Sequence, residues 1–417
     1  MVFSCVPSTR MTLESFLRSW FRALDQALVP WAVMRDHEYL PYRKTNRDID
    51  ILINHSDWRL ALSLALSQKE VSLFFVWERP YVVSFTLLGV SDEPLIIDLV
   101  SSLCVLGVPL IDTSAILNDA VRNPEGISCL SPSDSSLIKI LTALLHEGRL
   151  KDKYFEEARH VIQNDSAHIR HRLEDSFTEE LLRALLNSNI STPEKMTSIL
   201  ARISQGLRAY VFKKSLKRAP LKTTYQCLLH YRTEIEMRLL RRDAILVEIQ
   251  SSTPNEGEIL ARKMMEHTRV FFRSVSFSTA HQPCDKDFPG TGLNFFPNPI
   301  GNWRRLRRDG IRNSSLHLRV QGGGLRANQW PSSQFRGWFD VPDIVISLEG
   351  AAPESNGERL AAGQPFYLFA DQTISLETSD EPSAFSEFKD IFLERCRLCA
   401  VAKNQKILAL NTGTISS

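Results

Sequence analysis

Apolar and polar residues follow two different periods along the first hundred residues. An apolar stripe with helical spacing runs from Thr12 to Leu28 and leads into a short apolar strand at Trp31–Met34. A second strand begins at Asp48 and precedes a helix over residues 56–67, for which Ser56 is the expected N-cap. Three β-rich segments follow, at 71–77, 81–88 and 93–100. The predicted order is helix, strand, strand, helix and three strands.

The middle of the chain has a different pattern. Loop signals at 107–109 and 123–126 precede a long region with helical periodicity and few β-branched runs. Its predicted helices are 133–147, 152–163, 178–188, 192–217 and 221–242.

The last third returns to alternating strands and helices. The predicted elements are a buried strand at 244–249, a helix from about Gly257 to Thr268, strands at 342–349 and 373–377, and a closing amphipathic helix at 385–400. Residues 279–302 are rich in Pro, Gly and Asn and are expected to be irregular.

These changes of pattern predict an α/β multidomain protein, since 417 residues exceed one ordinary core. We expect units at 1–126, 127–242 and 243–403 and a flexible tail at 404–417. Hydrophobic and charged contents of 43% and 24% are typical of soluble proteins, and a net charge of +2 does not favour stable nucleic-acid binding. No apolar run is long enough to span a membrane, and the amino terminus lacks a secretion signal.

Seven scattered cysteines, an odd number, favour reduced thiols and a cytoplasmic location. Cys396 and Cys399 have redox or metal spacing, but they have no second pair and fall on the closing helix. We therefore expect no functional site there.

Two aspartates one residue apart carry the most specific chemistry. Asp48 and Asp50 point to the same face of a strand, because side chains alternate along β structure. Asp98 lies in the middle of another apolar strand, where a charge has no packing role. Close carboxylates repel one another, and a divalent cation relieves that repulsion. The alternative, which remains open, is a solvated strand end.

The element order and these three acids resemble the minimal nucleotidyltransferase fold of the polymerase-beta-like superfamily. The resemblance implies a mixed sheet with flanking helices, in which Asp48, Asp50 and Asp98 are catalytic and hold Mg²⁺ or Mn²⁺ for a nucleoside triphosphate. Asp98 would bind the metal beside the acceptor and serve as its base.

One departure from that superfamily lies after the first strand, where a Gly-Gly or Gly-Ser pair usually meets the phosphates. Arg35 and Asp36 stand there instead, in a phrase similar to that of the polysaccharide-associated subgroup. The resemblance implies that Arg35 binds phosphate, with Lys44 and Arg47 as further cations. For Lys44 and Arg47, a solvated loop is the alternative.

The helical region contains a second phrase of that subgroup, Leu144-Leu145-His146-Glu147-Gly148 followed by a tyrosine at 154. The resemblance places Lys151 and Lys153 near the nucleotide, and a helix-end charge cluster is the alternative. Another basic group, Lys213, Lys214, Lys217, Arg218 and Lys222, is expected to be a solvated surface, with membrane-surface contact left open.

The carboxyl-terminal third looks like a thymidylate-kinase-like domain with a P-loop-kinase sheet. Its phosphate loop is degenerate, because residues 250–259 contain one glycine, no lysine and two glutamates. We therefore expect no ATP turnover there. Arginines at 304, 305, 307, 308, 312, 319 and 326 make a basic segment that could bind a sugar phosphate or a nucleotide acceptor, or could be a solvated loop.

Together these features predict a Mg²⁺-dependent nucleotidyltransferase. It would move a nucleoside monophosphate from a triphosphate to a small molecule, glycan precursor or protein, while a non-catalytic kinase-like domain binds the acceptor or a partner. The alternative is a non-catalytic scaffold in which both sites have lapsed. A narrower possibility is an enzyme that attaches AMP to proteins.

Overall fold

The computed structural model describes residues 11–44, 47–79, 81–91, 93–105, 107–143, 152–173, 192–235, 245–251, 254–280, 316–322, 343–348, 366–369 and 382–409. Within these ranges the fold is mixed α/β, as predicted. A mixed sheet and a parallel sheet are its two larger sheets. No helix in the described ranges is long and apolar enough to cross a membrane.

The first sheet has seven strands and contains the predicted acids. Its early elements are α1 (Leu13–Gln26), β1 (Trp31–Val33), β2 (Asp48–Ile53), α2 (Trp58–Leu66), β3 (Ser72–Arg79), β4 (Val82–Leu88) and β5 (Leu95–Val100). Then come β6 (Cys104–Val105), β7 (Val108–Pro109), α3 (Thr113–Asn118), β8 (Val121–Arg122) and β9 (Ser128–Cys129). The strand order is β3-β4-β5-β2-β1-β9-β8, with β2 parallel to β5 and β6-β7 forming a separate pair.

Helix starts in this region follow their capping residues, with one correction. The Thr12 hydroxyl accepts a hydrogen bond from the Ser15 amide at 3.1 Å and begins α1 as predicted. Ser56 does not cap α2. It lies inside a 3-10 turn, His55–Asp57, and Asp57 occupies the N-cap position. The tight turn comes first because Asp57 N–H bonds back to Asn54.

The two faces of the first sheet differ. One face packs against α1 and α2 through large apolar side chains such as Trp20, Ile51 and Phe85. Residues of the same strands alternate to the other face, which carries Asp50 and Asp98. That other face is also largely buried, because its residues share cores with the helical region and with the second sheet.

The predicted boundary at residue 126 divides this sheet. β9 follows the boundary, yet it pairs with β1 in parallel and with β8 in a hairpin. The pairing of Val33 with Cys129 adds the hairpin to the sheet edge, so residues 127–129 belong structurally with the first region.

The helical region follows directly. Its described helices are α4 (Pro132–Thr142), α5 (Phe155–Asn164), α6 (Ser166–Leu173), α7 (Pro193–Arg218) and α8 (Pro220–Ile235). The predicted helix at 178–188 lies outside the described residues. Buried Asp134 joins α4 to α6 by accepting hydrogen bonds from the side chains of His168 and Arg172, both at 2.8 Å. Lys213, Lys217, Arg218 and Lys222 are exposed, and the side chain of Lys214 is not described.

The second sheet is parallel throughout, in the order β11-β12-β10-β13-β14. Its elements are β10 (Ile245–Ser251), α9 (Pro254–Thr268), β11 (Val275–Ala280), β12 (Leu316–Gly322), β13 (Ile344–Ser347), β14 (Phe366–Phe369) and α10 (Pro382–Ala409). Strands β11, β12 and β14 were not predicted, and the predicted strand at 373–377 lies outside the described residues.

Two helix ends in this region correct the predictions. α9 begins at Pro254 rather than near Gly257, because proline suits the first turn of a helix. α10 continues to Ala409, so residues 404–409 are not part of a flexible tail. The buried side chain of Asn404 accepts from the Val76 amide at 2.9 Å and donates to the Phe74 carbonyl at 3.2 Å. These bonds hold the end of α10 on β3.

A shared core joins the two large sheets. Phe74, Phe75 and Trp77 of β3 pack with the apolar face of the second sheet and with α10. The ring of buried Phe272 lies 5.5 Å from Phe74 and 5.4 Å from Phe75, measured between centroids. Cys396 and Cys399 lie on α10, in the predicted closing helix, and are buried in this core.

Candidate metal centre

Three carboxylates converge on the charged face of the first sheet. Asp50 is the direct register partner of Asp98 across the parallel strands β2 and β5. Asp48 lies two residues before Asp50 and therefore on the same face. One carboxylate oxygen from each of the three residues lies within 4.8 Å of the other two. We call Asp48, Asp50 and Asp98 the acid cluster.

The acid cluster is mostly removed from water. Asp98 is 1% exposed, Asp50 is 7% exposed and Asp48, at the start of β2, is half-buried. Oδ1 of Asp98 is buried and has no hydrogen-bond partner among the described residues. A buried carboxylate oxygen without a partner is costly, and most buried polar atoms avoid that state. This oxygen therefore points to a ligand that the protein itself does not supply.

Two arginines flank the acid cluster. Arg35 donates from Nε to Oδ2 of Asp50 at 2.6 Å, and Arg273 donates from Nε to Oδ2 of Asp98 at 2.6 Å. Arg35 follows β1, whose ladder with β2 continues through the Met34 amide and the Asp50 carbonyl. Arg273 comes from the segment just before β11, in the second sheet. The candidate site is thus built from both sheets.

Burial and charge act in opposite directions on these groups. Burial raises the pKa of the Asp50 carboxyl to about 6, against the lowering effect of the Arg35 charge, while the Asp98 and Asp48 charges raise it further. Burial alone would lower the pKa of Arg35 and of Arg273, but the Asp50 and Asp98 carboxylates raise each above its ordinary value. Both guanidiniums therefore remain charged.

The turn after β1 has a backbone conformation typical of glycine, although the residue there is an aspartate. Asp36 has φ of +53°, in the left-handed region that glycine usually occupies. Its carboxylate accepts a hydrogen bond from the Tyr154 hydroxyl at 2.8 Å, and the Ser135 hydroxyl donates to the Met34 carbonyl at 2.9 Å. Two contacts from the helical region thus hold the turn that carries Arg35.

The remaining predicted cations lie in different places. Lys44 contacts Glu93 at 3.8 Å and the Pro94 carbonyl at 3.5 Å, at the start of β5. Burial lowers the pKa of Lys44 against the raising effect of Glu93. Arg47 is exposed and donates to the backbone carbonyls of Arg269 and Arg273. Neither side chain has a hydrogen bond or ion pair with the acid cluster.

The last two predicted cations lie in the connection to the helical region. Lys151 lies outside the described residues, and Lys153 lies in the 3-10 turn Asp152–Tyr154 with a side chain that is not described. Their predicted nucleotide contacts therefore stay predictions.

Sequence reasoning missed Arg273. It follows the apolar run Val270-Phe271-Phe272 and belongs to no spacing motif, so only the packing of the two sheets brings it to Asp98. Its guanidinium also lies 4.8 Å from the centroid of the Trp77 ring. A lone arginine after an aromatic pair at a sheet junction is the only sequence signal, and it is a weak one.

The predicted degenerate phosphate loop, residues 250–259, includes the end of β10 and the first residues of α9. Its single glycine, Gly257, is inside α9, where an added Cβ would come within 2.5 Å of Val320 Cγ1. That glycine therefore allows the helix to approach β12. The arginines predicted at 304–312 and Arg326 lie outside the described residues, and Arg319 lies in β12 with a side chain that is not described.

The donor set of the acid cluster fits a hard divalent cation. Carboxylate oxygens are the ligands preferred by Mg²⁺ and Mn²⁺, and neither histidine nor cysteine belongs to this cluster. The unpartnered Asp98 oxygen is the atom best suited to a metal–oxygen bond. Asp48, Asp50 and Asp98 are therefore the residues that could hold a metal ion. Searches against protein-family models, curated proteins and solved structures return no match to this chain.

Proposed function

We propose that this protein is a Mg²⁺- or Mn²⁺-dependent nucleotidyltransferase. It would transfer a nucleoside monophosphate from a nucleoside triphosphate to a hydroxyl or phosphate of an acceptor. The acceptor class, a small molecule, a glycan precursor or a protein, stays open. The observation that carries the proposal is the acid cluster with the buried, unpartnered oxygen of Asp98.

Each residue of the site would have a catalytic role that follows from its charge and position. Bound divalent metal would supply Lewis-acid stabilisation of phosphate charge and lower the pKa of an attacking hydroxyl. Asp48, Asp50 and Asp98 would hold that metal, and Asp98 would also accept the proton of the acceptor. Arg35, held beside Asp50 by the turn after β1, would neutralise phosphate charge.

The kinase-like third of the chain is proposed to be non-catalytic. A working phosphate loop needs glycine amides and a lysine, and residues 250–259 contain no lysine. The packing role of Gly257 supports this view, because its missing side chain is already explained by Val320. Acceptor or partner binding is the role that we assign to this region.

One observation favours a second candidate, a non-catalytic scaffold. Asp50 and Asp98 are each already paired with an arginine, so the fold can neutralise these carboxylates without any metal. In that case the Arg273–Asp98 pair would serve only to hold the two regions together, and the Arg35–Asp50 pair to hold the turn after β1 on β2. The alternatives differ in whether the protein binds metal and transfers a nucleotide.

Nucleotide transfer tests the proposal directly. Purified protein would be incubated with α-labelled nucleoside triphosphates, Mn²⁺ and a cell extract as the source of acceptor. Loss of a metal ligand removes several kcal/mol of transition-state stabilisation, so Asp50→Asn should lower label transfer on the order of 1,000-fold.

The matched control is Asp57→Asn, which makes the same chemical change at the N-cap position of α2, where the Asp57 side chain makes no capping hydrogen bond and lies outside the acid cluster. The control should transfer label at the wild-type rate. Transfer that survives in Asp50→Asn would exclude the acid cluster as the catalytic centre. Absence of both transfer and metal binding in the wild type would favour the scaffold.

A further inference from the structure

An arginine from the segment that leads into β11 lies in the candidate site of the first sheet. Arg273 Nε lies 2.6 Å from Oδ2 of Asp98, the most buried of the three acids. The side chain of Arg273 is 30% exposed, so a ligand in the site can reach it. Arg273 thus forms part of the wall around the acid cluster. We call residues 269–273, which end at this side chain, the arginine loop.

The arginine loop is fixed to the first sheet by several independent contacts. Arg47 donates to the carbonyls of Arg269 and Arg273, and the Thr86 hydroxyl donates to the Phe271 carbonyl at 2.9 Å. The Phe271 ring lies 5.3 Å from that of Phe74. Hydrogen bonds to the backbone carbonyls of three of the five loop residues therefore fix the position of Arg273 independently of its side-chain contact with Asp98.

Most donors of the Arg273 guanidinium are still available. A guanidinium carries five N–H groups, and the hydrogen bond to Asp98 is the only one recorded for this side chain among the described residues. The Trp77 ring packs against the guanidinium and restricts its plane. A restricted planar cation with spare donors suits phosphate oxygens, which it can bind through two parallel bonds.

The net charge of the site is also compatible with phosphate binding by Arg273. Three carboxylates and the two paired guanidiniums sum to a formal charge of −1. Divalent cations would reverse that sign and attract a triphosphate. Asp98 would hold the metal that binds phosphate oxygens, so Arg273, which contacts Asp98, would lie close enough to supply donors to a bound phosphate.

We propose that Arg273 is a substrate-binding residue of the nucleotidyl-transfer site, supplied by the kinase-like region, and that it binds the phosphates of the nucleoside triphosphate. This assignment rests on the proposed function. It gives the kinase-like region a direct part in the site: that region completes the nucleotide site of its neighbour. When metal binds, the Asp98 carboxylate would coordinate the metal, and the N–H groups of Arg273 that do not contact Asp98 would bind the phosphates.

Two binding measurements separate this role from a structural one. Mn²⁺ affinity would be measured by electron paramagnetic resonance without nucleotide, and affinity for each of the four ribonucleoside triphosphates would be measured by calorimetry with Mg²⁺. Arg273→Ala should bind Mn²⁺ as tightly as the wild type or more tightly, because a competitor for Asp98 is gone. It should bind the preferred triphosphate about tenfold or more weakly.

Two further variants complete the experiment. Arg269→Ala removes the same charge four residues away, from an exposed side chain, and should match the wild type in both measurements. Arg273→Gln keeps a donor for Asp98 and a side chain beside Trp77, so it guards against misfolding of the alanine variant. It should also lose nucleotide affinity, because it has no positive charge.

The outcomes are distinguishable. Nucleotide affinity within twofold of the wild type in Arg273→Gln and Arg273→Ala would overturn the assignment, as would a parallel loss of Mn²⁺ binding. A wild-type protein that binds neither Mn²⁺ nor nucleotide would refute the proposed function itself. Wild-type binding of both, with weaker nucleotide binding only in the Arg273 variants, would support both.

Discussion

Asp98 and Glu248 are both buried carboxylates in the middle of a strand, one in each large sheet, but their surroundings differ. Glu248 accepts a hydrogen bond from the Gln250 amide at 2.9 Å, a partner on its own strand. Asp98 faces Asp50 and receives its cation from the other sheet, and its Oδ1 has no partner among the described residues.

This difference shows what separates a structural buried acid from a candidate metal ligand. Burial alone does not, because Glu248 and Asp98 are 0% and 1% exposed. Convergence with other acids and an oxygen that the protein leaves unsatisfied are the distinguishing features. Only the first sheet combines them within the described ranges.

The junction between the two sheets offers the largest change in stability. Phe272 is fully buried and its ring contacts Phe74 and Phe75 of the first sheet. Phe272→Ala should lower the free energy of unfolding by about 3–5 kcal/mol, because a large cavity would remain in the shared core.

Chemical denaturation followed by tryptophan fluorescence would measure this loss. Trp77 lies in the shared core and Trp20 lies on α1, in the core of the first sheet, so both regions contribute to the signal. A variant as stable as the wild type would contradict a common core, and the acid cluster would then not depend on the second sheet for Arg273.

A smaller change is expected at Glu248. Glu248→Ala removes a fully buried side chain of β10 that accepts a hydrogen bond from the side-chain amide of Gln250, and the loss of a buried hydrogen-bonding group costs about 1–3 kcal/mol. Thermal unfolding would measure the loss of stability, and Mn²⁺ affinity should stay at the wild-type value. Weaker Mn²⁺ binding in this variant would mean that the two acids are not distinct in kind.

Much of the acid cluster could be predicted from the sequence, because strand alternation and an isolated charge in an apolar run are local signals. Asp48 and Asp50 on β2 and Asp98 on β5 follow from such signals, and the register that brings Asp50 opposite Asp98 confirms their proximity. The parallel pairing itself could not be derived from local patterns, since it depends on how the chain crosses between strands.

The missed features all depend on contacts between distant residues. Asn404 lies in a polar segment with a tail-like composition, yet β3 supplies its partners 328 and 330 residues earlier in the chain. Arg273 reaches Asp98 across 175 residues because Phe272 packs on β3. Strand β14 is four residues long and is defined by its neighbour β13 rather than by periodicity.

A titration with Mn²⁺ is the decisive test of whether the acid cluster is a metal centre. Mn²⁺ would be titrated into wild-type protein, Asp98→Asn and Glu248→Gln, and followed by electron paramagnetic resonance. The wild type and Glu248→Gln should bind Mn²⁺ with equal affinity. The Mn²⁺ affinity of Asp98→Asn should fall about 10-fold to 100-fold or more. Equal binding by Asp98→Asn, or no binding by the wild type, would contradict the assignment of the acid cluster as a metal centre.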